Sequence, residues 1–438
     1  PEAEWYYMWP PKSARQYDED GNRIVWLVKK SLYGGVNAGR NWYNLMRTYL
    51  KSEGFEQCFC EPCIFFRRTT TGLIVIGVYV DDLVTLYSDA AEMRALYARI
   101  QERFDFTPQE PLVDMCGIEV KSTSQYIILT LVAYITKMAM EHLTEEERAE
   151  RVHTPAAMDL PKAVDEALKQ DAADVKPALL REFRVITGAI LFAVTTVRAD
   201  GAYASGMLGR AGDKPTPELL RHAKRHLQYL YTTREMGIRY SRKSEYKMDG
   251  SSDSDWAVKC STSGYAFFMA CAVVSFLSKK QPTIAMSSTQ AEITASSLAA
   301  LEGTFMINLG EQITGRSLAP IDLGIDSKGA ADLAQDFVSN SRVRHFERRQ
   351  FKIRELVERG LMTADERAAV ARVESTVNGS SCYWMPCSWF SNACTELLRK
   401  EEVHPLLVQS LLGAIGAHRG KCGGMLDYAW VRVPLAYT

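Results

Sequence analysis

The sequence lacks an excess of either charge, a long apolar run and a regular cysteine pattern. Its 52 Lys and Arg residues nearly balance 53 Asp and Glu residues, which excludes binding of a large polyanion through overall charge and leaves only local basic patches. The longest apolar runs, near residues 73–80 and 266–277, are too short to span a bilayer and predict buried strands.

The ten cysteines complete no zinc pattern, even where Cys58, Cys60 and Cys63 lie close together. We therefore expect reduced thiols in an intracellular protein, with cytoplasm and nucleus both left open. No signal peptide is visible, and the missing initiator Met is what we expect of a fragment. We expect no membrane association, and the oligomeric state stays open.

What the chain does contain is a set of acidic residues in contexts that deliver carboxylates to one place. Asp253 and Asp255 end a predicted strand and, being two residues apart, point to one face. Ser287 and Gln290 have the spacing of a capping box, and an Ala- and Leu-rich run follows them. Glu292 is then expected in the first turn of a helix.

Two further acids follow. Asp326 comes at the carboxyl end of a short apolar strand, IDLGI, and Glu347 lies near the start of a charged helix. Carboxylates are ligands that Mg²⁺ and Mn²⁺ prefer, and clustered carboxylates repel one another unless cations neutralise them. In a two-metal site one ion generates the attacking hydroxide and the other stabilises the leaving oxygen of a phosphodiester. One such acid alone is best interpreted as a solvated surface charge, whereas four in this order predict hydrolysis of a nucleic-acid strand.

Five blocks resemble, in order, the ribonuclease H domain of copia-type LTR retrotransposon polyproteins: SDSDWA, STSGYAFF, VSFLSKKQPTIAMSSTQAEITA, IDSKGAADLA and RVRHFERRQFKIRELVERG. The resemblance implies a set of catalytic, metal-binding acids for Mg²⁺ or Mn²⁺, namely Asp253, Glu292, Asp326 and Glu347. The family usually has Asp at the fourth position, so Glu347 adds one methylene and loosens the second metal. Asp255 and His345 are second-tier: they tune the site, or Asp255 caps the strand end and His345 is a helix-surface imidazole.

Residues 73–89, LIVIGVYVDDLVTLYSD, predict a hairpin whose turn presents Asp81 and Asp82. From these residues alone an ordinary hairpin with a polar tip is the simpler interpretation. Together with KKSLYGGVNAGRNWYNLM before it and GFEQCFCEPCIFFRR between, the hairpin resembles that of the copia-type reverse transcriptase. The resemblance implies that Asp81 and Asp82 are catalytic metal-binding residues. It also implies that residues 31–42 pack under the incoming nucleotide and template, with template–primer nucleic acid as a partner.

The chain departs from this family in two ways. Where Gln-Ala-Pro is common it has Asn37, Ala38 and Gly39. The family also needs a further metal-binding Asp upstream of the block resembling PEAEWYYMWPP, which would lie before Pro1. We therefore expect only part of a polymerase site and an inactive reverse transcriptase.

A basic segment, residues 218–243, contains seven basic and two acidic residues, interleaved with Tyr229 and Tyr231. It can grip a phosphate backbone, or it is a solvated helix face. From it and from the charged helix we select as nucleic-acid-binding residues Arg221, Lys224, Arg225, Arg344 and Arg348. His222 and His226 have the i, i+4 spacing of zinc ligands, but no third ligand is evident nearby.

The resemblance covers about residues 1–362 and implies an α+β reverse transcriptase palm/thumb fragment followed by an α/β ribonuclease H-like domain. We predict a partial reverse transcriptase with palm and start of thumb in 1–160, thumb and connection in 161–245, and the ribonuclease H-like domain in 246–362. The tail, 363–438, is unassigned: it is a helical extension, or sequence from beyond a degraded element read through in frame.

Two functions follow for the chain, and a protein-interaction role for the tail is a third, weaker one. One is an enzyme that cuts the RNA strand of an RNA:DNA hybrid, which it recognises through backbone geometry and 2′-hydroxyls. The other is a catalytically inactive or repurposed nucleic-acid-binding remnant, which the missing polymerase Asp, Glu347 and the tail favour and the full set of four acids opposes.

Overall fold

The computed structural model describes residues 6–28, 31, 38–104, 106, 110–257, 260–335, 352–365 and 395–396. Four residues of the predicted sites lie outside the described residues, namely Arg344, His345, Glu347 and Arg348.

The described helices, in chain order, are α1 Ala38–Ser52, α2 Ala90–Arg103, α3 Val132–His142, α4 Glu145–Ala149, α5 Leu160–Lys169, α6 Pro177–Thr196, α7 Ala202–Gly209, α8 Pro217–Thr232, α9 Ser288–Thr314, α10 Lys328–Gln335 and α11 Lys352–Glu358. The described strands are β1 Tyr6–Met8, β2 Trp26–Val28, β3 Glu56–Gln57, β4 Ile64–Arg68, β5 Leu73–Tyr79, β6 Asp82–Tyr87, β7 Asp114–Met115, β8 Ile118–Ser122, β9 Tyr126–Thr130, β10 Ile238–Ser241, β11 Ser244–Glu245, β12 Asp249–Ser254, β13 Thr262–Met269, β14 Ala272–Lys280, β15 Ile321–Ile325, β16 Met362–Asp365 and β17 Thr395–Glu396. The mixed helix and strand content agrees with the α and β character of the predicted fold class, and the ribonuclease H-like part stays a prediction.

The first large sheet has the antiparallel order β3-β4-β5-β6 and is apolar on both faces along β5. Ile74 and Ile76 pack in a small core with α1 and α2, whereas Leu73 and Val75 face a larger core. Because successive strand residues point to opposite faces, a strand covered on both sides needs a continuous apolar run. The predicted hairpin of residues 73–89 is confirmed, since β5 and β6 pair directly across a two-residue turn.

A helical layer and a second antiparallel sheet, β10-β9-β8-β7, follow along the chain. Helix α8 packs against α3 and α6. It begins where the Thr216 hydroxyl accepts the N–H of Leu219, with Pro217 at the first helical position, where a missing N–H costs nothing. The larger core runs from Cys58 to Met362 without a break, so the domain boundaries near 160 and 245 stay predictions.

The third large sheet has the order β14-β13-β12-β15-β16. Strands β12, β13 and β14 are antiparallel neighbours, and the apolar run near 266–277 forms the β13–β14 hairpin. Strands β15 and β16 run parallel to β12, and α9 lies across β12 and β13. Gly315 ends α9 at φ 71°, a left-handed conformation that glycine adopts without steric cost. This arrangement brings the carboxyl ends of β12 and β15 to one edge of the sheet.

Two predictions made from what the sequence lacks can be compared with the fold. Six cysteines of the described part of the chain are not joined in disulfide bonds, namely Cys58, Cys60, Cys63, Cys116, Cys260 and Cys271. None of the helices that the structure describes combines the length and the apolar character needed to cross a bilayer.

Candidate functional site

Three of the four predicted acids converge at the edge where β12 and β15 end. Carboxylate oxygens of Asp253, Glu292 and Asp326 all lie within 4.8 Å of one another. The parallel register places Ser252 opposite Ile325, so the residues that follow them, Asp253 and Asp326, leave the sheet side by side. Glu292 reaches them from α9. Glu347, the fourth predicted acid, lies outside the described residues.

The start of α9 corrects one prediction. Ser287 caps the helix, because its hydroxyl accepts the N–H of Gln290 at 3.1 Å. The Gln290 side chain accepts the N–H of Met286 at 2.7 Å, not that of Ser287, so the capping box is displaced by one residue. The helix begins at Ser288, and at 3.6 residues per turn Glu292 lies in the second turn, not the first.

The Glu292 carboxyl is buried, with only 6% of the residue exposed, and its two oxygens differ. Oε1 accepts hydrogen bonds from Ser254, from the N–H at 3.2 Å and from the hydroxyl at 2.9 Å. Oε2 is buried and has no hydrogen-bond donor among the described residues. Burial, followed by the charges of Asp326 and Asp253, raises the pKa of Glu292 to about 8.

Asp253 and Asp326 are solvent-exposed, in contrast to Glu292. Desolvation by neighbouring atoms, and then the charge of Asp326, raises the pKa of Asp253. An unpartnered buried oxygen beside two further carboxylates is the donor set that a hard divalent cation completes, because the cation supplies the missing partner and relieves the repulsion. The residues present therefore fit Mg²⁺ or Mn²⁺.

Ser254 is the residue that sequence reasoning missed. Ser254 lies between Asp253 and Asp255 in the sequence. No periodicity or spacing in the sequence predicts its hydrogen bonds to Glu292, a helix residue 38 positions further along the chain. Asp255 holds the connection between β12 and β13, because its carboxylate accepts the N–H of Thr262 and, at 2.8 Å, the Thr262 hydroxyl. This geometry is that of a strand-end cap, while a tuning role for Asp255 stays a prediction.

The second predicted pair of acids lies at the tip of the β5–β6 hairpin. Asp81 is in the turn, Asp82 begins β6, and both are exposed. Trp42 of α1 holds the turn, since its indole N–H donates to the carbonyl of Val80 at 2.6 Å. In the described part of the chain no third acid groups with this pair. Ser31, at the other end of the segment predicted to lie under template and nucleotide, accepts the side-chain amide of Asn41 at 3.0 Å.

The three described members of the predicted nucleic-acid set are each bonded within the protein. Arg221 bonds to Glu218 at 3.1 Å, Lys224 pairs with Glu182 at 3.1 Å, and Arg225 bonds to Thr154 at 2.6 Å. A phosphate would have to displace these partners, so their role in nucleic-acid binding stays a prediction.

Comparison with known proteins identifies relatives for most of the chain. The family model described as reverse transcriptase (RNA-dependent DNA polymerase) matches residues 2–156. A retrovirus-related Pol polyprotein from transposon RE1 of Arabidopsis thaliana is 29% identical over 349 residues, which are 79% of this chain and 23% of that protein. A transposon Ty5-1 protein of Saccharomyces cerevisiae is 31% identical over 304 residues, which are 66% of this chain and 93% of that protein. The chain thus spans about a quarter of the length of the Pol polyprotein.

The tail that the sequence left unassigned has a different likeness. The family model described as bestrophin, RFP-TM, chloride channel matches residues 333–438. Human bestrophin-2a is 38% identical over 84 residues, which are 19% of this chain and 16% of that protein. The match begins inside the predicted ribonuclease H-like domain, 246–362, and the structure describes only a small part of it.

Proposed function

Because this chain belongs to the reverse transcriptase family of copia-type retrotransposon Pol polyproteins, we propose that it hydrolyses the RNA strand of RNA:DNA hybrids. The observation that supports this most directly is the convergence of Asp253, Glu292 and Asp326, from two strand ends and a helix, around an oxygen of Glu292 that has no donor. A site for a phosphodiester needs such a cluster to be open on one side, and the exposed Asp253 and Asp326 provide that opening.

These three residues, with Glu347, would hold the cations. Bound Mg²⁺ or Mn²⁺ would supply charge for the phosphate oxygens and for the attacking water. Ser254 fixes one oxygen of Glu292 and so restricts the direction in which the other points. The reaction is balanced by one water: its oxygen bonds to phosphorus, the bond from phosphorus to the leaving sugar oxygen breaks, and that oxygen takes up a proton.

The surrounding sheet supports the same proposal. Asp253 and Asp326 lie at strand ends of a sheet of three antiparallel strands extended by two parallel ones, and Glu292 lies on α9, which crosses β12 and β13. We assign this sheet with α9, α10 and α11 as the ribonuclease H-like domain. The proposed contacts to the hybrid are to its backbone and its 2′-hydroxyls, because a cluster of carboxylates does not recognise base sequence.

Asp81 and Asp82 are proposed as carboxylates of a polymerase site. Support comes from the reverse transcriptase family model, which covers them, and from their exposed place on a turn that Trp42 tethers. The described residues add no third acid to this pair, so the ribonuclease reaction is the better first test.

The test uses the full chain with a labelled RNA:DNA hybrid and Mg²⁺. We expect cleavage of the RNA strand, no cleavage of the same RNA in an RNA duplex, and a loss of at least about 100-fold in Asp326→Asn, the size typical for one preorganised catalytic contact. Asp332→Asn is the matched control, because Asp332 is an exposed acid on the next helix outside the cluster. Cleavage by Asp326→Asn at the unaltered rate would rule out this site.

A noncatalytic nucleic-acid-binding remnant is the second candidate. The bestrophin-like match from residue 333 favours it, because that match overlaps the segment that contains Glu347. Hybrid binding without cleavage in the unaltered chain is its expected result. Glu347→Asp, which restores the usual acid of the resembling family, then separates a weakened enzyme, which gains activity, from a remnant, which does not.

A further inference from the structure

A second group of possible metal ligands is separate from the acids at the edge of the third sheet. It joins Asp159, which precedes α5, to Glu218 and His222 in the first two turns of α8. One ligand atom from each residue lies within 4.8 Å of the other two. The sequence offered His226 as the companion of His222, but the structure instead supplies two carboxylates.

His222 points to a ligand because its imidazole is buried and incompletely bonded. The residue is 3% exposed, and its Nε2 has no hydrogen-bond partner among the described residues. Nε2 lies 3.8 Å from Oδ1 of Asp159 and 3.6 Å from Oε1 of Glu218, too far for either hydrogen bond. A buried nitrogen left without a partner is costly, and an atom placed between it and the two oxygens would remove that cost.

The separations suit a small cation. On a tetrahedral zinc with bonds of about 2.0–2.2 Å, neighbouring ligand atoms lie about 3.3–3.6 Å apart. The two separations from Nε2 of His222, 3.8 and 3.6 Å, differ from this spacing by only a few tenths of an ångström. Imidazole nitrogen with carboxylate oxygen favours Zn²⁺ over Mg²⁺, which prefers oxygen ligands alone.

Arg221 bonds to the same two carboxylates. Its guanidinium donates to both oxygens of Glu218, including Oε1, the oxygen that faces His222, at 2.5 Å. It also lies 3.4 Å from Oδ2 of Asp159, which leaves Oδ1 of Asp159 toward His222. The Arg221 side chain is 53% exposed, so it can turn into solvent at little cost in buried area. Arg221 is thus a competing cation for the two acids, and a metal ion would have to replace part of its role.

We propose that Asp159, Glu218 and His222 form a Zn²⁺ site that fastens the start of α5 to the first turns of α8. Asp159 is available for this because, although it precedes α5, its side chain makes no capping hydrogen bond there. Three protein ligands leave one position for water. The site is independent of the proposed ribonuclease reaction, since none of its residues belongs to the acidic cluster on the third sheet.

The test is calorimetric titration of the full chain with Zn²⁺ in excess Mg²⁺, so that the other acidic cluster is already occupied. Asp159→Asn is the main variant, because Asp159 is exposed and its loss leaves the core intact. We expect the variant to bind one equivalent fewer, or to bind that equivalent at least about 100-fold more weakly, since loss of a ligand should exceed the 10–100-fold effect of an outer-shell partner. His153→Gln, an exposed histidine of the preceding segment, should bind as the unaltered chain does.

Two further variants separate a metal site from an ion-pair network. His222→Gln should lose the same equivalent as Asp159→Asn, while Arg221→Ala should bind it more tightly, because the competing cation is gone. Co²⁺ absorption then distinguishes nitrogen and oxygen ligands from thiolates of the cysteines. Equal Zn²⁺ binding by the unaltered chain, Asp159→Asn and His222→Gln, or thiolate bands that persist in both variants with no equivalent lost, would overturn the proposal.

Discussion

Ser254 donates both its backbone N–H and its hydroxyl to the same oxygen of Glu292, at 3.2 and 2.9 Å. The two bonds stabilise the ionised form of a carboxylate that burial and two neighbouring acids disfavour. They satisfy Oε1 completely and leave Oε2 as the oxygen without a donor. Ser254 is therefore a positioning residue for Glu292, acting through it and not on the phosphodiester.

Ser254→Ala should slow hybrid cleavage, and the loss should depend on pH. The variant keeps the backbone bond but loses the hydroxyl bond, so the pKa of Glu292 rises further and less of it is ionised near pH 7. A hydrogen bond to a charged group contributes about 1.5–3 kcal/mol, so we expect a loss of at least about 10-fold at neutral pH. The pH–rate profile should shift to higher pH.

Ser254→Thr retains the hydroxyl and should restore most of the activity, and Ser251→Ala in the same strand should have little effect. A pH–rate profile in Ser254→Ala that coincides with that of the unaltered chain would contradict the positioning role.

The metal-free protein should lose stability as the pH rises through the range where Glu292 ionises. Its carboxyl has an ordinary pKa of 4.5 and a folded pKa of about 8, so the folded state binds the extra proton between these values. Stability then falls between about pH 4.5 and 8 by up to about 1.4 kcal/mol per pH unit, and the coupling with Asp253 and Asp326 spreads the change over that window.

Urea unfolding in EDTA across pH 5–8.5 measures this slope. Glu292→Gln should flatten it, because the amide does not ionise, and Mg²⁺ should raise the stability of the unaltered chain most at high pH. Equal slopes in the two proteins would show that Glu292 does not carry the unfavourable charge.

Local signals predicted the elements of the acidic site better than its interactions. Ser287 before an Ala-rich run predicts a helix start, and the apolar run before Asp326 predicts a strand end, because capping and alternation depend on neighbouring residues. The hydrogen bonds from Ser254 to Glu292 depend on how α9 packs on β12. No property of either segment alone specifies that packing.

Tertiary packing also determines the partners of the basic segment and of the histidine pair, which local sequence does not specify. Charge counts predict that Lys224 and Arg225 lie on an exposed surface, but the fold brings Glu182 to one and Thr154 to the other. The i, i+4 rule pairs His222 with His226 along one helix face. In the structure Oδ1 of Asp159, from a different helix start, lies 3.8 Å from Nε2 of His222, and such a tertiary neighbour has no sequence signal.

His226 should make the protein less stable as the pH falls below about 6.5. The side chain is fully buried, and neither ring nitrogen has a partner among the described residues. Burial lowers its pKa to about 3, Arg198 and Arg225 act in the same direction, and Asp200 opposes them. The unfolded state therefore takes up a proton first, and stability present above the ordinary pKa of 6.5 is lost toward pH 3 by up to about 1.4 kcal/mol per unit.

His226→Leu should remove this acid dependence and change the free energy of unfolding little near pH 7. The two ring nitrogens that it deletes have no partner among the described residues, so their loss leaves no other group without a hydrogen bond. Thermal unfolding between pH 4 and 7.5 compares the variant with the unaltered chain. His153→Leu, at an exposed site, should keep the original dependence, and a slope retained in His226→Leu would assign it to other groups.

Val80 is in a left-handed conformation at φ 50°, in the turn that presents Asp81 and Asp82. A β-branched residue is strained there, by about 1–2 kcal/mol, whereas Asn adopts this conformation readily. The side chain is 59% exposed, so little buried area is at stake, and the carbonyl that Trp42 holds belongs to the backbone and survives substitution. Val80→Asn should therefore raise the free energy of unfolding by about 1 kcal/mol.

Val113→Asn is the control, because Val113 is 67% exposed and has no positive φ, and it should not raise the free energy of unfolding. Equal changes in both variants would mean that the turn stores no strain.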